Sequence, residues 1–235
     1  MMDGRPLEDV ELDVRPGYAA WAPLYDDDGN PLIALESPAV RSRFGSLEDR
    51  RVIDIGCGTG RHSLALAEAR PRALFALDVT GEMMAIARRK LQGRPVHFVR
   101  HAFPRALPFP DATFDLAVLC LVIEHIPDLG EAFAELRRIL ARGGRAIVST
   151  LHPDRTAEGQ RARFIDPLTG TRRPITTYHR TVGEYLAAAS ASGLVLEGEE
   201  SLCVTPDLAA ALPRASRYLG KRLGWVASWS KGEPA

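Results

Sequence analysis

The chain has 235 residues, 46% of them hydrophobic, and its 30 Lys and Arg balance 30 Asp and Glu for a formal net charge of zero. That suffices for one substantial core but not for two full domains, and the balance supplies no global field to draw in nucleic acid or an anionic membrane. Cys57, Cys120 and Cys203 are odd in number, far apart and without CxxC spacing. The start carries no apolar leader and no run of about 18 uncharged apolar residues follows, so a cytoplasmic protein is expected.

Residues 1–46 carry aromatic and acidic clusters, Tyr18, Trp21, Tyr25 and Asp26 to Asp28, without strand alternation, and a helical lid is expected there. From 51 to 150 short aliphatic runs alternate with amphipathic stretches, the pattern of successive βα units. Strands are predicted at 51–55, 73–77, 96–99, 114–119 and 144–150, each too apolar to face water on one side. Helices are predicted at 61–69, 82–91 and 129–140, where apolar residues recur at three- and four-residue spacing. Gly143-Gly144 reads as the left-handed stop of the third helix. Residues 152–180, rich in Pro and Gly, form an expected substrate cap, and a helix at 182–191 and strands near 194–199 and 224–229 complete a single domain, with 47–151 as its cofactor-binding core and 181–235 as the last part of the sheet.

The strongest signal is the run from Val52 to Gly60, VIDIGCGTG, a buried strand entering a glycine-rich turn that opens a helix. Glycines suit a tight turn whose backbone N–H groups touch a ligand, and the helix N-terminus beyond favours an anionic group. A dinucleotide fingerprint requires Gly at the sixth position, where Arg61 stands. With Asp54 two residues before the first glycine, the segment resembles the first motif of class I S-adenosylmethionine methyltransferases. The resemblance implies that Asp54 and the loop of Gly56, Cys57, Gly58 and Gly60 hold the amino-acid part of S-adenosyl-L-methionine.

Asp78, closing the next strand, has the chemistry for two adjacent ribose hydroxyls, and Val79, Thr80 and Met83 follow as lining for the adenosine. The segment LPFPDATFD from Leu107 to Asp115 looks like the family's approach to its fourth strand, with Asp115 anchoring the strand start. Where the family shows a G-D-A pattern contacting adenine, this chain reads Arg100-His101-Ala102, leaving His101 stacking or backbone contact by Ala102 and Phe103 as alternatives. Leu121 and His125, in the segment after strand four, are assigned to the cofactor side, and Tyr18 and Tyr25 resemble lid aromatics that close over it. The matches span about 52–151 and point to the ubiquinone- and biotin-pathway-like group. The implied fold is a Rossmann-like α/β sheet of seven strands, order 3-2-1-4-5-7-6, last strand antiparallel, helices on both faces.

Methyl transfer from a sulfonium needs mainly alignment and exclusion of water, with a base where the acceptor must lose a proton. His152, following the fifth strand, is the first candidate base, and Tyr178 and His179 are candidates for positioning a small-molecule acceptor. Arg155, Arg161, Arg163, Arg172, Arg173 and Arg180 in the cap raise an anionic acceptor as an alternative to a solvated face, for instance a carboxylate on an acyl carrier protein. O-methylation of a small metabolite is expected, with N- or C-methylation and a non-methylating cofactor-bound protein of the same fold as alternatives. No metal, nucleic-acid or membrane partner is expected, and the chain is expected to act as a monomer or homodimer.

Overall fold

Strands that are apolar on both faces must be covered by helices on both, and the chain is so arranged in a computed structural model that describes residues 10–232. In chain order it forms α1 (Val14–Trp21), α2 (Pro31–Arg41), β1 (Arg51–Ile55), α3 (Arg61–Glu68), β2 (Ala73–Asp78), α4 (Gly81–Lys90), β3 (Val96–Arg100), β4 (Phe114–Cys120), α5 (Leu129–Ile139) and β5 (Leu140–Leu151). Then come α6 (Pro153–Ala157), β6 (Arg163–Ile165), β7 (Arg172–Pro174), α7 (Val182–Ala191), β8 (Leu194–Cys203), α8 (Pro206–Ala211) and β9 (Arg222–Lys231). The main sheet runs β3-β2-β1-β4-β5-β9-β8. Strands β1 to β5 are parallel and β9 is antiparallel to both neighbours. Counting sheet strands alone, this is the expected 3-2-1-4-5-7-6 order with the last strand reversed. No helix among the described residues is long and apolar enough to cross a membrane.

Period-two alternation along the strands splits the core into two layers. Ile53 and Ile55 of β1 join Phe114, Phe133, Leu136, Trp225 and Trp229 on the face covered by α5 and α7. Val52 joins Leu66, Leu74, Val118, Ile147 and Val40 on the face covered by α2 and α3. Helix α5 is held at its start by Asp128, whose Oδ1 accepts from the Glu131 N–H at 3.0 Å. Asp115 anchors the mouth of β4 against β1 by accepting from the Arg51 N–H at 2.8 Å.

On the second face a buried ion cluster fastens the N-terminal helices to the sheet. Glu36 of α2 has no exposed surface and accepts from Arg61 at 2.5 Å and from Ser149 at 2.7 Å, with His62 Nε2 at 3.0 Å. Burial alone pushes this carboxyl up, but His62, Arg61 and Ser149 together hold it down at about 2. A folded-state value below the ordinary 4.5 contributes stability above that pH, and the contribution fades as pH falls toward about 2. The shift corresponds to roughly 3 kcal/mol. Urea unfolding from pH 7 to pH 3 is therefore expected to show a steep acid loss in the wild type and a shallower one in Glu36→Gln, which starts less stable. Parallel slopes would rule the cluster out as the source.

One expectation needs correction. Gly143-Gly144 does not stop the helix, because α5 ends at Ile139 and Leu140 is already extended, at φ −71° and ψ 134°. Gly143, at φ +69°, lies inside β5 where pairing with β4 jumps from Phe114↔Leu140 to Leu116↔Arg145. The glycines thus make a bulge, and a Cβ on Gly144 would meet the Phe114 carbonyl oxygen at 2.8 Å. The stretch 152–180 contains a β6–β7 hairpin and the short α6, and the β8–β9 link contains α8 and a 3-10 stretch at Pro213–Tyr218. Helix α1 leans on the hairpin through Trp21, stacked on Phe164 at 5.8 Å.

Candidate functional site

The site is built where β1, β2 and β4 end. Gly56 turns the chain at φ +71°, and a Cβ there would sit 2.2 Å from Val122 Cγ2, so only glycine fits. The Gly56 and Cys57 N–H groups both donate to the Leu77 carbonyl, at 2.7 and 2.9 Å, folding the loop across the tip of β2. There Asp78 Oδ2 accepts from the Gly58 N–H at 2.8 Å and Oδ1 from the Thr80 N–H at 2.7 Å. Burial pushes the Asp78 carboxyl up, against the pull of those hydrogen bonds. A carboxylate accepts several donors at once, and this one lines the cavity over the loop.

A cavity of about 270 Å³ opens over this loop. Gly56, Gly58, Asp78, Val79, Thr80 and Met83 form its floor, and His101, Ala102 and Phe103 one side. Tyr18, Tyr25, Leu121 and His125 close the other. The remaining loop positions lie behind it: Asp54 is buried and accepts from Ser63 Oγ at 2.6 Å, the Cys57 thiol is pushed up by burial, and Gly60 packs on Ala87.

A second cavity, of about 130 Å³, shares Tyr18, Tyr25 and Leu121 with the first. Leu121, just past β4, is a non-glycine residue at φ +56°, a sparsely populated conformation of the kind that gathers at functional sites. The Tyr18 hydroxyl lies 2.8 Å from His125 Nε2, while His125 Nδ1 lies 2.6 Å from the Thr176 carbonyl. A carbonyl only accepts, so Nδ1 carries a proton, and in the neutral ring Nε2 receives the Tyr18 hydroxyl. Burial keeps both phenols neutral: Tyr18 is raised well above its ordinary value and Tyr25 is pushed up to about 12.

The same wall holds a residue that sequence reasoning passed over. Glu124 lines the second cavity, is 4% exposed, and uses Oε1 for a long, 3.4 Å contact from the Leu151 N–H. Its Oε2 is buried without a hydrogen-bond partner. Burial raises its carboxyl, outweighing the opposing pull of His125. Aromatic rings of Trp21 and Tyr218 flank the cavity, and Arg161, Arg163, Arg214 and Arg217 line it as well.

The residues favoured for the acceptor lie elsewhere. His152 is 1% exposed and acts as N-cap of α6, its Nδ1 accepting from the Asp154 N–H at 3.1 Å with Nε2 3.1 Å from Ser201 Oγ. Pro153 starts the helix, and the start turns the imidazole onto its backbone. His179 is exposed and bonds Thr156 Oγ1 at 2.7 Å, and Tyr178 carries Arg180 over its ring at 5.3 Å. None of the three lines either cavity.

Residues 53–148 match the family described as a methyltransferase domain. An uncharacterized methyltransferase of Emericella nidulans is 30% identical over 227 residues, covering 81% of this chain and 78% of that protein. The chain belongs to the class I S-adenosylmethionine-dependent methyltransferases. A phosphatidylethanolamine N-methyltransferase of Cereibacter sphaeroides is 30% identical over 74% of this methyltransferase and 81% of its own length. The crystal structure of an S-adenosylmethionine-dependent methyltransferase from Mesorhizobium loti superposes with a TM-score of 0.72 at 26% identity, covering 86% of this chain and all of that one.

S-adenosylmethionine is therefore the cofactor of this methyltransferase, and the first cavity has the groups to receive it. Gly58 presents bare backbone, since a Cβ there would meet nothing within 4 Å. Asp78 brings to the cavity lining a carboxylate, the acceptor chemistry that a ribose diol takes, and His101, which also lines the cavity, has a buried Nδ1 without a partner. The N-terminal segment is tied to this loop by Asp26, which accepts from Thr59 Oγ1 at 2.7 Å and pairs with Lys90 of α4.

Proposed function

We propose that this methyltransferase methylates an oxygen of a small acceptor held in the second cavity, with Glu124 as the general base and the first cavity as the cofactor site. The observation that carries this reading is the partition between the cavities. Tyr18, Tyr25 and Leu121 belong to both, and Glu124, which lines the second cavity and not the first, has a buried carboxylate oxygen without a hydrogen-bond partner. S-adenosylmethionine supplies an electrophilic methyl group on a sulfonium. Glu124 takes the proton of an acceptor hydroxyl as the C–O bond forms and the C–S bond breaks. Tyr18, clamped to His125, fixes the narrow passage, and Trp21 and Tyr25 keep water from the line of transfer.

A buried carboxylate of raised pKa suits an O–H acceptor, which must lose a proton, better than a neutral amine, whose lone pair attacks without one. Incubation with methyl-labelled donor and matched hydroxy- and amino-substituted aromatic acceptors tests this, with products identified by mass spectrometry. Label is expected on oxygen. Label confined to nitrogen or carbon would overturn the oxygen assignment while leaving the methyltransferase intact.

A further inference from the structure

The second cavity has an uneven charge. Its deep end holds the buried Glu124 and its outer part four guanidinium groups from two separate segments, Arg161 and Arg163 around β6 and Arg214 and Arg217 in the 3-10 stretch before β9. Two of the four are already neutralised: Arg161 pairs with Glu11, and Arg214 with Asp28 at 3.1 Å. Arg163 and Arg217 have no carboxylate partner among the described residues. Arg163 is half-buried, and Arg217 rests over the ring of Tyr218 at 4.7 Å, which holds it at the wall. Asp28 and Glu124 are the carboxylates that line the cavity, and Asp28 is consumed by Arg214.

We propose that the acceptor carries an anionic group, a carboxylate or a phosphate ester, which Arg163 and Arg217 receive while the molecule's hydroxyl reaches Glu124. The inference rests on the methyl-transfer reading for the identity of the deep end, but the anion site itself does not. A guanidinium fork takes either anion in a bidentate pair; Arg163 is half-buried, which strengthens such a pair over one in open water, and Arg217, though exposed, is held in place by the Tyr218 ring. Charge of opposite sign at the two ends orients the acceptor. Its anion is repelled from Glu124 and drawn to the arginines, so the reacting oxygen enters first. Trp21, Tyr25 and Tyr218 supply flat apolar walls for the body between.

The test measures binding without turnover, so that it stands apart from the methyl-transfer reading. Full-length protein saturated with S-adenosylhomocysteine is titrated calorimetrically with 4-hydroxybenzoate, its neutral amide 4-hydroxybenzamide, and phenyl phosphate. At least one anion is expected to bind about tenfold or more tightly than the neutral amide, as charge-assisted pairing implies. The double substitution Arg163→Gln and Arg217→Gln is expected to erase the preference, with affinity for S-adenosylhomocysteine and the melting temperature unchanged. Whether benzoate or phosphate gains more identifies the anion. Equal affinity for charged and neutral probes, a preference that survives the double substitution, or no anion binding at all would overturn the anion site. A methyl-transfer assay that labels no hydroxylic acceptor, with the anion preference intact, would instead overturn the oxygen reading.

Discussion

Asp78→Ala is expected to weaken binding of S-adenosylhomocysteine by about 100-fold, roughly 2.7 kcal/mol. The carboxylate stands between two tasks. Inward, it accepts from the Gly58 and Thr80 N–H groups and so holds the glycine loop against the tip of β2. Outward, it lines the cofactor cavity with the acceptor capacity that a ribose diol requires. Hydrogen bonds to a charged group are worth about 1.5–3 kcal/mol each, so losing one to a ribose hydroxyl is enough to account for the expected effect. Because alanine also frees two backbone donors at the loop, Asp78→Asn serves as the companion. It keeps one oxygen acceptor and nearly the same volume but sets an NH2 against one of the two backbone N–H donors, so an intermediate loss is expected with a smaller drop in melting temperature than alanine causes. Calorimetry on both variants decides the matter. If each binds the thioether as the wild type does, the ribose lies elsewhere and the first cavity is not the cofactor site.

The sequence disclosed the cofactor half of the molecule better than the acceptor half, for a physical reason. Strands β1, β2 and β4 are buried and each is followed by a helix, so their apolar runs and the intervening 3.6-residue periodicity are written locally. Strand β3, expected to be buried on both faces, is instead a sheet edge without a buried residue or a helix after it. The glycine loop is local in its backbone, since Gly56 turns at φ +71°, and the distant Val122 only adds to the demand for glycine there. The acceptor cavity is assembled from segments with no period of their own. Helix α8 and the stretch after it pack, with the neighbouring Val204, Ala215 and Leu223, on Leu32 from the far end of the chain, and the β6–β7 hairpin is held by Trp21 and Ile175 around Phe164. Nothing near Arg214 or Arg217 in the sequence announces that this link returns over the lid. His152 illustrates the converse. Its position after β5 does put it at the sheet's ligand-binding edge, but the choice between cavity and helix cap was made by Pro153 and the Asp154 N–H. Glu124 stands beside a histidine that the sequence did single out, and its distinguishing feature, a buried oxygen lacking any partner, exists only once the chain is folded.

Glu124→Gln is expected to lower kcat for a hydroxylic acceptor by about 10²–10³-fold, within the usual range for loss of a positioned base. Glutamine preserves shape and still offers an oxygen to the Leu151 N–H, so folding and cofactor affinity should hold. It lacks only the ability to take a proton. The pH profile gives a second, independent reading. Burial places the Glu124 carboxyl above its ordinary 4.5, and the nearby phenols Tyr18, Tyr25 and Tyr185 are raised as well, leaving them neutral across the working range. A base must be ionised to act. Below its raised pKa Glu124 is protonated and turnover falls about tenfold per pH unit; above it, turnover is level. That acidic limb should vanish in the glutamine variant, whose residual rate reflects alignment alone, while KM changes little because the same wall still shapes the cavity. A carboxylate that merely braced the wall would leave the limb in place and alter KM or stability instead. Wild-type turnover in Glu124→Gln, or an acidic limb that persists there, would remove Glu124 from the proton transfer and return the role to a group on the acceptor itself.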